Sequence, residues 1–103
     1  MPSSKYNISG ITTVVLSRPG ESLGIQSISI ANTHATNSVL IDLYIGTISS
    51  DGDPAISCYL MKGKILHKGD YIILDHRNLR FNVDFGLFIS LNESTSTVDV
   101  LIN

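Results

Sequence analysis

Leu79-Arg80-Phe81-Asn82-Val83-Asp84-Phe85-Gly86-Leu87-Phe88-Ile89-Ser90-Leu91 is the stretch that decides the fold. Leu79, Phe81, Val83, Phe85, Leu87, Ile89 and Leu91 alternate without a break over 13 positions. A helix would scatter these residues around its circumference, so a period of two means an extended chain with one apolar face. Strands usually run about 5–6 residues, so this one is expected to bend at Asp84-Phe85-Gly86 and supply two.

The rest of the chain agrees. In its 103 residues Ile occurs 14 times, Val 6 and Thr 7, whereas Ala occurs 3 times, Glu twice and Gln once. Residues stiff at χ1 suit a pleated surface, and the best helix formers are nearly missing. A mainly helical protein is excluded. A disordered one is excluded too, because 43% apolar residues and a net charge of −2 allow a core to form.

Working outward, Val98, Val100 and Ile102 form a last strand. Upstream, Tyr71 to Leu74 is a continuous apolar run, short enough for a strand buried on both faces. Ile56 to Met61 reads as a strand, Lys62-Gly63-Lys64 as a turn, and Ile65-Leu66 as a short strand closed by His67-Lys68-Gly69-Asp70. Val39, Ile41, Leu43 and Ile45 share one face of another strand, followed by the loop Ser49-Ser50-Asp51-Gly52-Asp53-Pro54. Leu23 to Ala31 is extended, but Ile25 is out of phase with Ile28 and Ile30, so a bulge is expected near Gly24 to Ser27. Ile8 to Leu16 reads as one run ended by the Arg18-Pro19-Gly20 turn. Connections this short force antiparallel pairing. The expectation is a single domain over 1–103: an all-β antiparallel β-sandwich of about 8 strands, jelly-roll or immunoglobulin-like, with residues 1–6 as an extended N-terminal arm.

Chemistry is scarce. Cys58 has no disulfide partner in the chain and reads as a small buried apolar residue. His34, His67 and His76 lack ligand spacing. Asp51-Gly52-Asp53 lacks the later ligands of a calcium loop. Asp70 and Asp75 flank a strand, where turn chemistry accounts for them. The chain shows no phosphate loop, and no basic tract interleaved with aromatics, so no nucleic-acid partner is expected. Met1 to Lys5 lacks a signal peptide's apolar run, and no apolar stretch approaches the about 18 residues of a membrane span, so no membrane partner is expected. The sequons at Asn7 and Asn92 are read as chance matches. No catalytic residue, metal or cofactor is expected. Leu40, Tyr44, Leu60, Phe88 and Leu101 fall opposite their strands' main apolar stripe. Those left uncovered mark an interface. The basic cluster Lys62, Lys64, His67 and Lys68 suits acidic groups on a neighbouring subunit.

The order of segments resembles a known group. Ile28-Ser29-Ile30-Ala31-Asn32 leads to Val39-Leu40-Ile41-Asp42-Leu43-Tyr44-Ile45. Then come Tyr59-Leu60-Met61, Leu66-His67-Lys68-Gly69, Tyr71-Ile72-Ile73-Leu74-Asp75 and finally Val98-Asp99-Val100. Over roughly residues 25–103 this is similar to the small β-sandwich structural proteins of tailed bacteriophages. It departs at Leu66-His67-Lys68-Gly69, where that group often has Pro before the Gly. The resemblance implies a non-enzymatic virion protein, assembled in the host cytoplasm. It would be a capsid decoration (cement) protein, or a head–tail junction or tail subunit. Its partners would be the major capsid protein or other virion subunits, in a homo-oligomer or symmetric array. A carbohydrate-binding module is the alternative, although such sites stack sugars on exposed aromatics and this chain has seven aromatics and no Trp.

Overall fold

A computed structural model of the chain describes residues 4–20, 25–34, 36–50, 52, 54–75, 77, 79, 84–93 and 97–103. Among them are eight strands and no helix: β1 (Ser4–Ser9), β2 (Thr12–Ser17), β3 (Ser27–Asn32), β4 (Val39–Ile48), β5 (Pro54–Leu66), β6 (Tyr71–Asp75), β7 (Gly86–Leu91) and β8 (Thr97–Ile102). They form two four-stranded sheets, in the orders β1-β8-β3-β6 and β2-β7-β4-β5. Every neighbouring pair is antiparallel.

The pairs β1/β8, β2/β7, β3/β6 and β4/β5 nest inside one another. The chain is thus one long ribbon, closed at the β4–β5 hairpin and rolled so that successive rungs alternate between sheets. This is a jelly roll. The immunoglobulin-like arrangement is not the one adopted, because it pairs the first two strands in one sheet, whereas here β2 lies in the opposite sheet from β1.

The inner faces carry the alternating aliphatics: Ile28 and Ile30 on β3, Val39, Ile41, Leu43 and Ile45 on β4, Leu87, Ile89 and Leu91 on β7, and Val98, Val100 and Ile102 on β8. Burying each such side chain contributes about 1.5–3 kcal/mol. The Tyr6 hydroxyl ties the sheets together by donating to the Leu16 carbonyl at 3.2 Å. Asn32 is the one buried polar side chain among the described residues. Its amide donates to the Asn37 and Leu66 carbonyls, both at 2.9 Å, and its oxygen accepts from the His34 N–H at 2.9 Å. A buried amide satisfied on both sides is not left with the penalty of an unmade bond, and it pins the β3–β4 connection to the end of β5.

Several expectations are corrected. The Ile8–Leu16 run is two strands, broken at Gly10, whose φ of 77° departs from extended backbone. From Ser4 onward the expected N-terminal arm belongs to β1 and pairs with β8. Lys62-Gly63-Lys64 is not a turn. Gly63 has a φ of 63°, yet β5 continues through it, and the Gly63 N–H donates to Asp42 Oδ1 at 2.7 Å. A positive-φ glycine serves a bulge as readily as a turn, and the side chain replaces the missing ladder bond. β6 is not buried on both faces: Tyr71 is 65% and Ile73 60% exposed. Among the described strands it stands at the sheet edge.

Other expectations stand. The Arg18-Pro19-Gly20 turn has Gly20 at φ 87°, and the β4–β5 loop closes with the Gly52 N–H on the Ser49 carbonyl at 2.9 Å. At the β3 start, the N–H groups of Gln26 and Ser27 both donate to the Asn103 carbonyl, at 2.6 and 3.2 Å. Two residues thus oppose one, as a bulge requires. The predicted bend at Asp84-Phe85-Gly86 precedes β7, a six-residue strand. Of the strand expected from Leu79 to that bend, Leu79 is a buried turn residue; residues 80–83, His76, and the carboxylates of Asp51 and Asp53 lie outside the described residues.

Candidate functional site

Side chains on paired residues of neighbouring strands share a sheet face, so the register defines what each outer face presents. On the β2-β7-β4-β5 sheet one cross-strand row reads Val15, Phe88, Tyr44, Tyr59. The Tyr44 and Phe88 rings stack at 5.3 Å with 15° between planes, and Tyr59 meets Tyr44 edge-on at 5.6 Å. Lys62 Nζ lies 4.9 Å from the Tyr59 ring centroid, a cation–π contact. The Tyr44 hydroxyl is hydrogen-bonded to the Thr13 side chain, and Thr13 Oγ1 lies 3.1 Å from Ser90 Oγ. Asp42 Oδ2 accepts from Asn92 Nδ2 at 3.2 Å. Burial, above all, pushes the Tyr44 phenol above its ordinary value; the Thr13 bond pulls the other way, while Tyr59 and Asp42 add to the rise.

This arrangement changes the interface expectation. Phe88 is fully buried and Tyr44 nearly so. They are not available to a partner, because each is covered by the other and by its neighbours. Leu40 and Leu60 are half-buried, and Leu60 packs against the core. Lys62, Lys64, His67 and Lys68 are all exposed, along the last part of β5 and the turn after it. His67 Nδ1 lies 3.2 Å from Ser38 Oγ.

The exposed apolar side chains lie elsewhere. β5 is a 13-residue edge strand, exposed at 55–59 and 62–65. It displays Ile56, Tyr59 and Ile65. Cys58 is exposed on the same strand rather than buried, because the edge leaves one side of it open. On the other sheet, β6 displays Tyr71 and Ile73. Sequence alone did not single these out. The only signal was the run of consecutive apolar residues, whose two faces are interchangeable until the edge position is known.

Among the described residues, no three His, Cys, Asp or Glu side chains gather as metal ligands would. His34 is committed to its loop, Nδ1 accepting from the N–H groups of Thr36 and Asn37 at 3.1 and 3.0 Å. Asp75 Oδ1 accepts from the Arg77 N–H at 2.9 Å, a turn bond. No helix among the described residues is long and apolar enough to cross a membrane.

No protein-family model matches the chain, and no curated protein matches it in sequence. Solved structures do match. One titled as the crystal structure of PirA aligns at a TM-score of 0.51 and 15% identity, over 97% of this chain and 90% of that one. At that identity the likeness concerns the fold. A SPBc2 prophage-derived protein, YomS, aligns at a TM-score of 0.44 and 12% identity over 99% of this chain and 95% of that one. A chain of the infectious bursal disease virus Gx strain structure aligns at a TM-score of 0.35 and 12% identity, over 99% of this chain and 33% of that one.

Proposed function

We propose that the chain is a non-enzymatic structural subunit of a tailed-phage particle, a capsid decoration protein that reinforces the shell by burying its free strand edge against neighbouring subunits. The observation that carries this reading is β5. A long edge strand with Ile56, Tyr59 and Ile65 uncovered is a liability in a solitary protein, and becomes useful where a partner covers it. Lys62 and Lys64 on the same edge, with His67 and Lys68 just beyond, favour an acidic partner surface. The resemblance in segment order supports the phage assignment. The partner is then the major capsid protein or another virion subunit, contacted in many symmetric copies.

The test mixes the purified protein with capsids that lack it and, separately, with tails, and reads occupancy by electron microscopy. Ordered density at symmetric sites on the shell is the expected result. Density on tails or at the neck would replace decoration with a tail or head–tail role. Absence of density on either would overturn the reading. An Ile65→Asp variant should lose occupancy while keeping its melting temperature.

A further inference from the structure

The outer face of the β1-β8-β3-β6 sheet carries a feature that the β5 edge does not use. Two adjacent cross-strand rows run across it: Tyr71, Ala31, Asp99, Asn7, and Ile73, Ser29, Leu101, Lys5. The β3 residues in the middle are small, so the face dips there. A groove of about 260 Å³ follows, lined among others by Ser29, Ala31, Leu101, Asp99, Asn7 and Lys5. Tyr71 and Ile73 do not line the groove itself; they follow on β6, paired with Ala31 and Ser29 and exposed, where a ligand overhanging the groove would meet them. On the far side the Asn7 amide donates to Asp99 Oδ1 at 2.6 Å. That bond orients both planar groups and leaves the second Asp99 oxygen and the Asn7 oxygen able to accept.

We propose that this groove binds a neutral saccharide. A pyranose ring has an apolar C–H face and a rim of hydroxyl donors. The ring would lie over Ala31 and Ser29, its C–H face against Tyr71 and Ile73, with two neighbouring hydroxyls donating to Asp99 and Asn7. Lys5 would donate to a sugar oxygen. Neighbouring strands stand about 4.8 Å apart, so Tyr71 and Asp99 rise from backbones about 10 Å apart, which spans one ring with its hydroxyls. Apolar walls with a few convergent polar groups are the usual makeup of a small-molecule site, and a carboxylate with an oriented amide suits donors rather than anions. Phosphate and acidic sugars would meet Asp99. An added peptide strand would pair in the plane of the sheet, at the β1 or β6 edge, and not lie over its face. The site is shallow, so single contacts are weak, and an array of copies would multiply them. The binding does not depend on where the protein sits in a particle.

The test displays the full chain multivalently on a glycan array and titrates its hits by NMR against the free protein. The expected result is binding to neutral glycans, weakened at least tenfold by Tyr71→Ala and by Asp99→Asn. Thr47→Ala, an exposed position on the other sheet, should bind as the native chain does. Both groove variants alter exposed residues, and an unchanged melting temperature confirms that they fold. No neutral glycan bound, binding confined to acidic glycans, or binding indifferent to both groove variants would each overturn the proposal.

Discussion

On the outside of the β2-β7-β4-β5 sheet, Phe88 and Tyr44 stack and vanish from solvent; on the outside of the β1-β8-β3-β6 sheet, Tyr71 and Ile73 stand in it. Both faces belong to one jelly roll, and both pairs are bulky and apolar. What differs is the company each pair keeps. Tyr44 and Phe88 sit on the two inner strands of their sheet, with Val15 and Tyr59 in the same row on either side. Two residues further along the same strands, Gly46 and Gly86 face each other. A Cβ on Gly46 would collide with the Ala55 carbonyl, and one on Gly86 would lie 2.6 Å from the Ser17 oxygen and 2.8 Å from Pro19 Cδ. The chain at the ends of β2 and β5 therefore presses onto the sheet beside the aromatic pair. Tyr71 stands on an edge strand, has small Ala31 as its partner in the ladder, and is 65% exposed. Burial follows the position of a strand in its sheet and the size of its neighbours, more than the hydrophobicity of the residue.

The sharpest way to break this contrast is to truncate one residue on each face. Phe88→Ala should cost about 3–5 kcal/mol, as large-to-small changes at closed sites do. Ile73→Ala should stay within about 0.5 kcal/mol, as exposed sites away from special features do. Urea unfolding at 25 °C measures both, and equal costs would mean that the aromatic pair is not a closed cluster. Gly46→Ala comes next. Its added methyl meets backbone, which cannot rotate away, so overpacking of about 1–3 kcal/mol is expected. For a domain of this size that means a melting temperature lower by about 4–8 °C per kcal/mol. No fall would show that the chain near Ala55 can lift from the sheet freely.

How much of this could be read beforehand depends on whether a feature is local. The inner faces of β4 and β8 were legible, because Val39, Ile41, Leu43 and Ile45, and again Val98, Val100 and Ile102, repeat with the period of a strand. Turns at Gly20, Gly52 and Gly69 were legible too, since glycine beside Pro or Asp points to a positive φ. Gly63 was misread because its φ is the same in a turn and in a bulge; only Asp42, 21 residues away, settles which. The division of Ile8–Leu16 was missed because the apolar residues on both sides of Gly10 look continuous. The outer faces were the least legible. Whether Phe88 meets Tyr44, and whether Tyr71 meets anything, depends on strand order. The groove had no local signal at all, since Lys5, Asn7, Ala31, Tyr71 and Asp99 come together only through pairing across three ladders.

The finest difference between the two faces lies in a single hydroxyl. Tyr44→Phe keeps the ring stack and removes the bond to Thr13, so a loss of about 1 kcal/mol is expected near neutral pH. The pH dependence is more diagnostic. Burial raises the folded phenol above its ordinary value of 10.0, so between the two values the folded chain holds a proton that the unfolded chain has lost. Stability then falls with rising pH. Tyr44's contribution is therefore fully present below pH 10 and declines as pH climbs from there through the folded value. Urea midpoints taken from pH 9 upward should fall more steeply for the native chain than for Tyr44→Phe. Parallel curves would mean that Tyr44 is as well solvated as in the unfolded chain, and the distinction between a closed and an open outer face would lose its electrostatic support.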